Sequence, residues 1–229
     1  MQFSQQGARQ VFDNARRVAE AAGLSTNATV MSQSYLRSEA PISTTTTSYH
    51  MPVLINDNQN GANAIFNTMQ LLNLQDAFVV SGIYVGFGLP TSLTDATFIP
   101  RTYASAINCG GTQAAATAMQ TLYNSQLQLS VNNRQILTAF PITNNYFVPQ
   151  TQGLATQTSP GTTPWVAIDQ NDGFQSATVP IEPNIVLIGS KNNVLSIQLP
   201  AAISTSPGTY ARLIVIFNGV LMQNCTPVR

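Results

Sequence analysis

Apolar and polar residues alternate most cleanly in two short stretches of this chain. Leu127, Leu129 and Val131 alternate with Gln126, Gln128 and Ser130, while Leu195, Ile197 and Leu199 alternate with Val194, Ser196 and Gln198 before Pro200. A period of two is the signature of a strand with one buried face. Asn132-Asn133 offers a turn from the first stretch into a second strand over 135–140. The run 77–87 (AFVVSGIYVGF) is rich in β-branched and aromatic residues and ends at Gly88-Leu89-Pro90. A short strand at 185–188 meets the turn-forming Gly189-Ser190-Lys191-Asn192-Asn193, and 212–221 (RLIVIFNGVL) reads as a strand interrupted at Asn218-Gly219.

A period near 3.6 appears twice. Over 5–22, Val11, Ala15, Val18 and Ala22 follow i, i+4, i+7 and i+11, with Phe12 and Ala19 beside them. Ser4 suits an N-cap and Gly23 a C′ residue; Asp13 with Arg17, and Arg16 with Glu20, are spaced as i,i+4 pairs. The apolar stripe is narrow and mostly alanine. It reads as an arm that lies against something else, with Val11, Phe12, Arg16, Arg17 and Val18 as subunit-contact residues; an ordinary first helix packed on its own domain is the equal alternative. The second helix is expected at 112–123, where Ala115, Met119 and Leu122 share a face. Between arm and strands, 24–49 is rich in Ser, Thr and Asn and favours extended chain. It reads as a connector leading into a first strand at 49–55. The expected fold is mainly β, an antiparallel β-sandwich with one inserted helix. Residues 1–48 form a helical arm and connector, and 49–229 the sandwich domain.

Charge changes this picture. Nine basic and nine acidic residues are the whole charged complement of 229, about a third of the share usual in soluble domains. Seven of them lie in the first 39 positions, so the β region is polar mainly through its Asn, Gln, Thr and Ser. Such a surface repels copies of itself weakly and suits packing against other proteins. No stripe of Lys and Arg exists to attract nucleic acid strongly; Arg9, Arg16 and Arg17 are offset by Asp13 and Glu20. The start lacks the basic and apolar regions of a secretory signal, so none is expected. The longest apolar run, 77–89, falls short of the roughly 20 residues that span a bilayer.

Residues suited to chemistry are few. His50 is the single histidine, and neither a nucleophile elbow, a His-Glu-x-x-His motif nor a phosphate loop is present. Nothing nearby activates the thiol in Cys109-Gly110-Gly111. Cys109 and Cys225 can pair or remain free on spacing alone. Asn56-x-Asn58-x-Asn60-Gly61 copies the start of a Ca²⁺ loop but lacks Asp at its first position and Glu at its twelfth, Asn67. Asp169 and Asp172 share a turn and are the weak candidates for a cation site; solvated side chains capping backbone N–H groups explain them as well. The expectation is a non-enzyme with no catalytic residue and no cofactor.

Residues 78–85 (FVVSGIYV), 127–136 (LQLSVNNRQI) and 184–199 (NIVLIGSKNNVLSIQL) carry the alternation, the amide-rich turns and the charge poverty together. In these features most of 50–229 resembles bacteriophage virion structural proteins with jelly-roll capsid or capsid-decorating domains. The resemblance implies a jelly-roll-like sandwich that forms homo-oligomers and packs with other capsid proteins. It also implies a virion location after synthesis in the host cytoplasm. The competing expectation is a carbohydrate- or receptor-binding β-sandwich of a viral fibre or spike, for which Trp165 and scattered tyrosines would supply stacking surfaces and a glycan would be the ligand.

Overall fold

Asn132 and Asn133 both have positive φ, 50° and 61°, the left-handed pair that a two-residue hairpin turn demands. They join β5 (Gln126–Val131) to β6 (Arg134–Pro141) in the computed structural model, which describes residues 5–53, 72–92, 95, 98–106, 108–148 and 177–227. From this hairpin outward the strands pair like the rungs of one long folded ladder. β4 (Ala77–Gly88) pairs with β7 (Val179–Ile188), β3 (Ser48–Pro52) with β8 (Asn193–Gln198), and β2 (Val30–Pro41) with β9 (Arg212–Gln223). The outermost rung is β1 (Leu24–Ser25) with β10 (Thr226–Pro227). All of these pairings are antiparallel.

Two further pairings, β4 with β9 and β5 with β8, roll the ladder into a pair of four-stranded sheets. Their orders are β2-β9-β4-β7 and β3-β8-β5-β6. This is the eight-stranded jelly roll, in which a double sheet limits the number of open edges. Leu36, Phe78, Val80, Ile83, Val85, Phe87, Leu213, Val215 and Phe217 from the first sheet and Leu127, Leu129, Leu195 and Ile197 from the second fill the space between. Helix α2 (Gln113–Tyr123) adds Ala115, Met119 and Leu122 to that core, the face expected from its spacing.

The first sheet is buried on both sides, which explains the continuous apolar run of β4. Its outward residues Ala77, Val79, Val220 and Met222 lie under helix α1 (Gln5–Ala21), and Tyr84, Ile214 and Ile216 lie against Phe98 and Phe147. The register of β4 shifts between Val80 and Gly82, so Ser81 bulges out and donates its hydroxyl to the carbonyl of Asn218 at 3.1 Å. The interruption expected at Asn218-Gly219 is therefore a bulge in the partner strand, and β9 itself runs unbroken. Gly219 is required there, because a Cβ would fall 2.0 Å from the Val79 carbonyl oxygen.

The connector is where structure and sequence differ most. Residues 24–49 are extended over β1, β2 and the start of β3, with a turn at 27–28 between the first two, and twelve of them form β2, paired residue for residue with β9 inside the sandwich. A boundary at 48 therefore cuts through the first sheet. Ser32, Ser34 and Ser38 share the side of the strand that Leu36 and Ala40 turn into the core, though only Ser38 is itself buried, and this run of hydroxyls concealed the alternation. Among the described residues, no helix is long and apolar enough to cross a membrane.

Candidate functional site

Helix α1 stops at Gly23, whose φ of 81° is the left-handed conformation of a C′ glycine. Its N–H donates to the Glu20 carbonyl at 2.9 Å. The chain then reverses into β1, which holds the helix across the outer face of the first sheet. Ala15 and Ala19 are buried, and their small side chains let the helix backbone approach β4 and β9 closely. Val11, Phe12 and Val18 pack partly buried on the same cluster, whereas Arg16 and Arg17 are exposed. The apolar members of the expected contact set thus bind the chain's own sheet. Neither Asp13–Arg17 nor Arg16–Glu20 closes within ion-pair distance; Glu20 instead accepts a hydrogen bond from Thr26 at 2.6 Å. Ser4 lies outside the described residues.

Beyond the helix, an open groove of about 340 Å³ crosses all four strands. Val79 and Val220 form its floor, and Asn14, Gln33, Ser81, Glu182 and Asn184 line its sides. At the far end of the same face lies a charged cluster that sequence reasoning missed. Glu39 is 8% exposed and Arg212 only 2%. The Glu39 carboxylate meets Arg37 at 2.7 Å and Arg212 at 3.0 Å, and the ring of Phe98 covers both guanidinium groups, 5.1 and 5.6 Å from its centroid. The signal was present: Arg37-x-Glu39 has the spacing that puts two side chains on one face of a strand. Beside it, Tyr84 and Tyr123 donate to the Arg101 carbonyl at 2.9 and 3.3 Å, fastening the covering segment to the sheet. Burial pushes both phenols up from their ordinary range.

His50 is exposed on β3, next to Ser48. Cys109 and Cys225 are both free and buried. Cys109 belongs to the core between the sheets and Cys225 to the cluster beneath α1, on opposite faces of the first sheet, so they cannot bridge. Burial pushes the Cys109 thiol from the ordinary 9.0 up to about 11. A raised thiol value means that the unfolded chain loses its proton first. Stability is therefore expected to be intact below about pH 9 and to fall as pH rises toward 11, the buried tyrosines adding to the loss at the upper end. Denaturant melts across that range check this; a Cys109→Ala variant is expected to show a shallower decline, the remainder coming from Cys225, whose thiol burial also raises, and from the tyrosines.

Among the described residues, no group of three His, Cys, Asp or Glu side chains converges as a metal site would require. Asp169, Asp172, Trp165 and the Asn56-x-Asn58-x-Asn60-Gly61 stretch all lie outside the described residues. Compared with family models, curated proteins and solved structures, the chain matches none. The remaining outward surface belongs to the second sheet. Its exposed or half-exposed positions on β3, β5 and β8 include Ser48, His50, Gln126, Gln128, Ser130, Val194 and Gln198, mostly amides and hydroxyls, and β6 adds the exposed Arg134 at its first residue.

Proposed function

We propose that this chain is a structural protein of a bacteriophage shell, a building block that self-associates or packs with other capsid subunits rather than an enzyme. The observation that carries this reading is the pairing of a jelly-roll strand order with an outward second sheet almost free of charge. Jelly rolls serve viral capsids as well as lectins and cupins, so the fold alone does not choose among them. The surface adds the preference. Amides and hydroxyls desolvate at lower cost than charges, and two such faces exert little mutual repulsion. In this reading the protein is made in the host cytoplasm and resides in the virion, with the exposed Arg16 and Arg17 of α1 facing a neighbour.

Light-scattering mass of purified protein, measured against concentration at low and high salt, tests the proposal. Mass is expected to rise with concentration and to change little with salt, because charge contributes little to the contacts. A constant monomer mass under both conditions would overturn it. A second reading, recognition of a neutral glycan, is favoured by the groove across the first sheet, where Asn14, Gln33, Ser81 and Asn184 surround an apolar floor.

A further inference from the structure

Among the described residues, four strands form the edges of the two sheets, and three of them carry features that discourage an added strand. β7 contains Pro180 and Pro183, which cannot donate backbone hydrogen bonds. β3 is only five residues long and ends at Pro52. β6 slips register twice against β5, begins with Arg134 and ends at Pro141. Short edges, prolines, bulges and charges are the usual protections against pairing between molecules. β2 has none of them before its last residue, Pro41, apart from Arg37 and Glu39, which are engaged with each other in the cluster under Phe98.

The first half of β2 is also the exposed half. Val30, Ser32, Gln33 and Tyr35 are exposed and Met31 and Ser34 half-buried, whereas Leu36 and residues 38–40 are buried. Val30 is 60% and Tyr35 44% exposed. The six residues VMSQSY contain no charge, no proline and no glycine, the composition of a segment that readily pairs with another strand. Six consecutive register pairs, Val30 with Gln223 through Tyr35 with Asn218, hold it flat against β9.

We infer that the Val30–Tyr35 edge of β2 pairs antiparallel with the same edge of a second copy, joining two first sheets into one continuous eight-stranded sheet. The partner is a second copy because the segment and the whole chain are uncharged on balance, so like meets like without repulsion. A two-fold axis keeps residues facing the same side opposite one another. A register centred on Gln33 sets the two Gln33 amides at the axis and places Met31 against Tyr35 of the second copy, a cross-strand pair of the stabilising kind. This inference rests on the assembly reading above and names the surface it uses.

Cysteine cross-linking tests it. Directly opposed strand residues have Cα atoms about 4.5–5.5 Å apart, within disulfide range, and both native cysteines are buried. Gln33→Cys is expected to form a disulfide-linked dimer on mild oxidation, while Ile136→Cys on the β6 edge is not cross-linked. Gln33→Lys, with its fold checked by circular dichroism, is expected to weaken association about fivefold by opposing two like charges. Wild-type association without Gln33→Cys cross-linking, or equal cross-linking of Ile136→Cys, would overturn the β2 edge and leave the assembly reading standing. Gln33→Lys associating as the wild type does has the same meaning. A wild-type protein that never associates would overturn both.

Discussion

Glu39→Ala is expected to destabilise the fold by about 3–5 kcal/mol, because it leaves the nearly inaccessible Arg212 without its carboxylate partner. In a chain of this length that corresponds to a fall in Tm of roughly 6–20 °C. The penalty comes from removing the carboxylate that faces a buried guanidinium, whose contact with the Ser92 carbonyl at 3.4 Å is no substitute for an opposite charge. Replacing both partners by apolar residues, as in a Glu39→Leu, Arg212→Met double variant, is therefore expected to recover most of the loss. Arg37 has more access to solvent and should matter less: Arg37→Met is expected to cost under about 1.5 kcal/mol. Denaturant midpoints of the four proteins check this. A Glu39→Ala loss below about 1 kcal/mol would show that water or the polar groups already around Arg212, the Ser92 carbonyl among them, replace the carboxylate.

The second large effect is expected from Ala19→Asp. Ala19 is fully buried between α1 and the sheet, and a carboxylate there has neither room nor a partner. The helix should leave the sheet while the core between the two sheets persists. Cys225, now covered by α1, then becomes the reporter: its labelling by a thiol reagent is expected to accelerate about a hundredfold, and Cys109 in the inner core should stay protected. Equal acceleration at both cysteines would mean that the helix and the sandwich unfold together. No change at Cys225 would mean that α1 does not cover that face in solution. An α1 that can detach without loss of the sandwich is also what an arm reaching a neighbour requires.

How much of this was legible depended on what covers each strand. The β5–β6 hairpin was readable because β5 has one wet face, which produces strict alternation, and because Asn-Asn names its own turn. α2 was readable from Ala115, Met119 and Leu122. β4 announced itself as a strand, but burial on both faces removed the alternation that would have given its direction or the bulge at Ser81. β2 was read as a connector because its core-facing side is Ser at 32, 34 and 38, and its first half is exposed, so little apolar alternation was left to read. The rolling of the ladder depends on β4–β9 and β5–β8, pairings between residues far apart in sequence that no local pattern encodes. At the candidate site, the apolar stripe of α1 was legible but its destination was not, since alanines that suit a neighbour's surface suit the chain's own sheet equally well. The Glu39 cluster joins residues 173 positions apart, and only folding brings them together.

As a building block, this charge-poor jelly roll is expected to assemble. Electron microscopy of the purified protein, taken over a range of concentrations alongside its light-scattering mass, tests it most directly. The account predicts discrete symmetric oligomers or closed particles of uniform size that grow in number as concentration rises. A field of isolated single jelly rolls at every concentration, with a mass that never exceeds one chain, would contradict it.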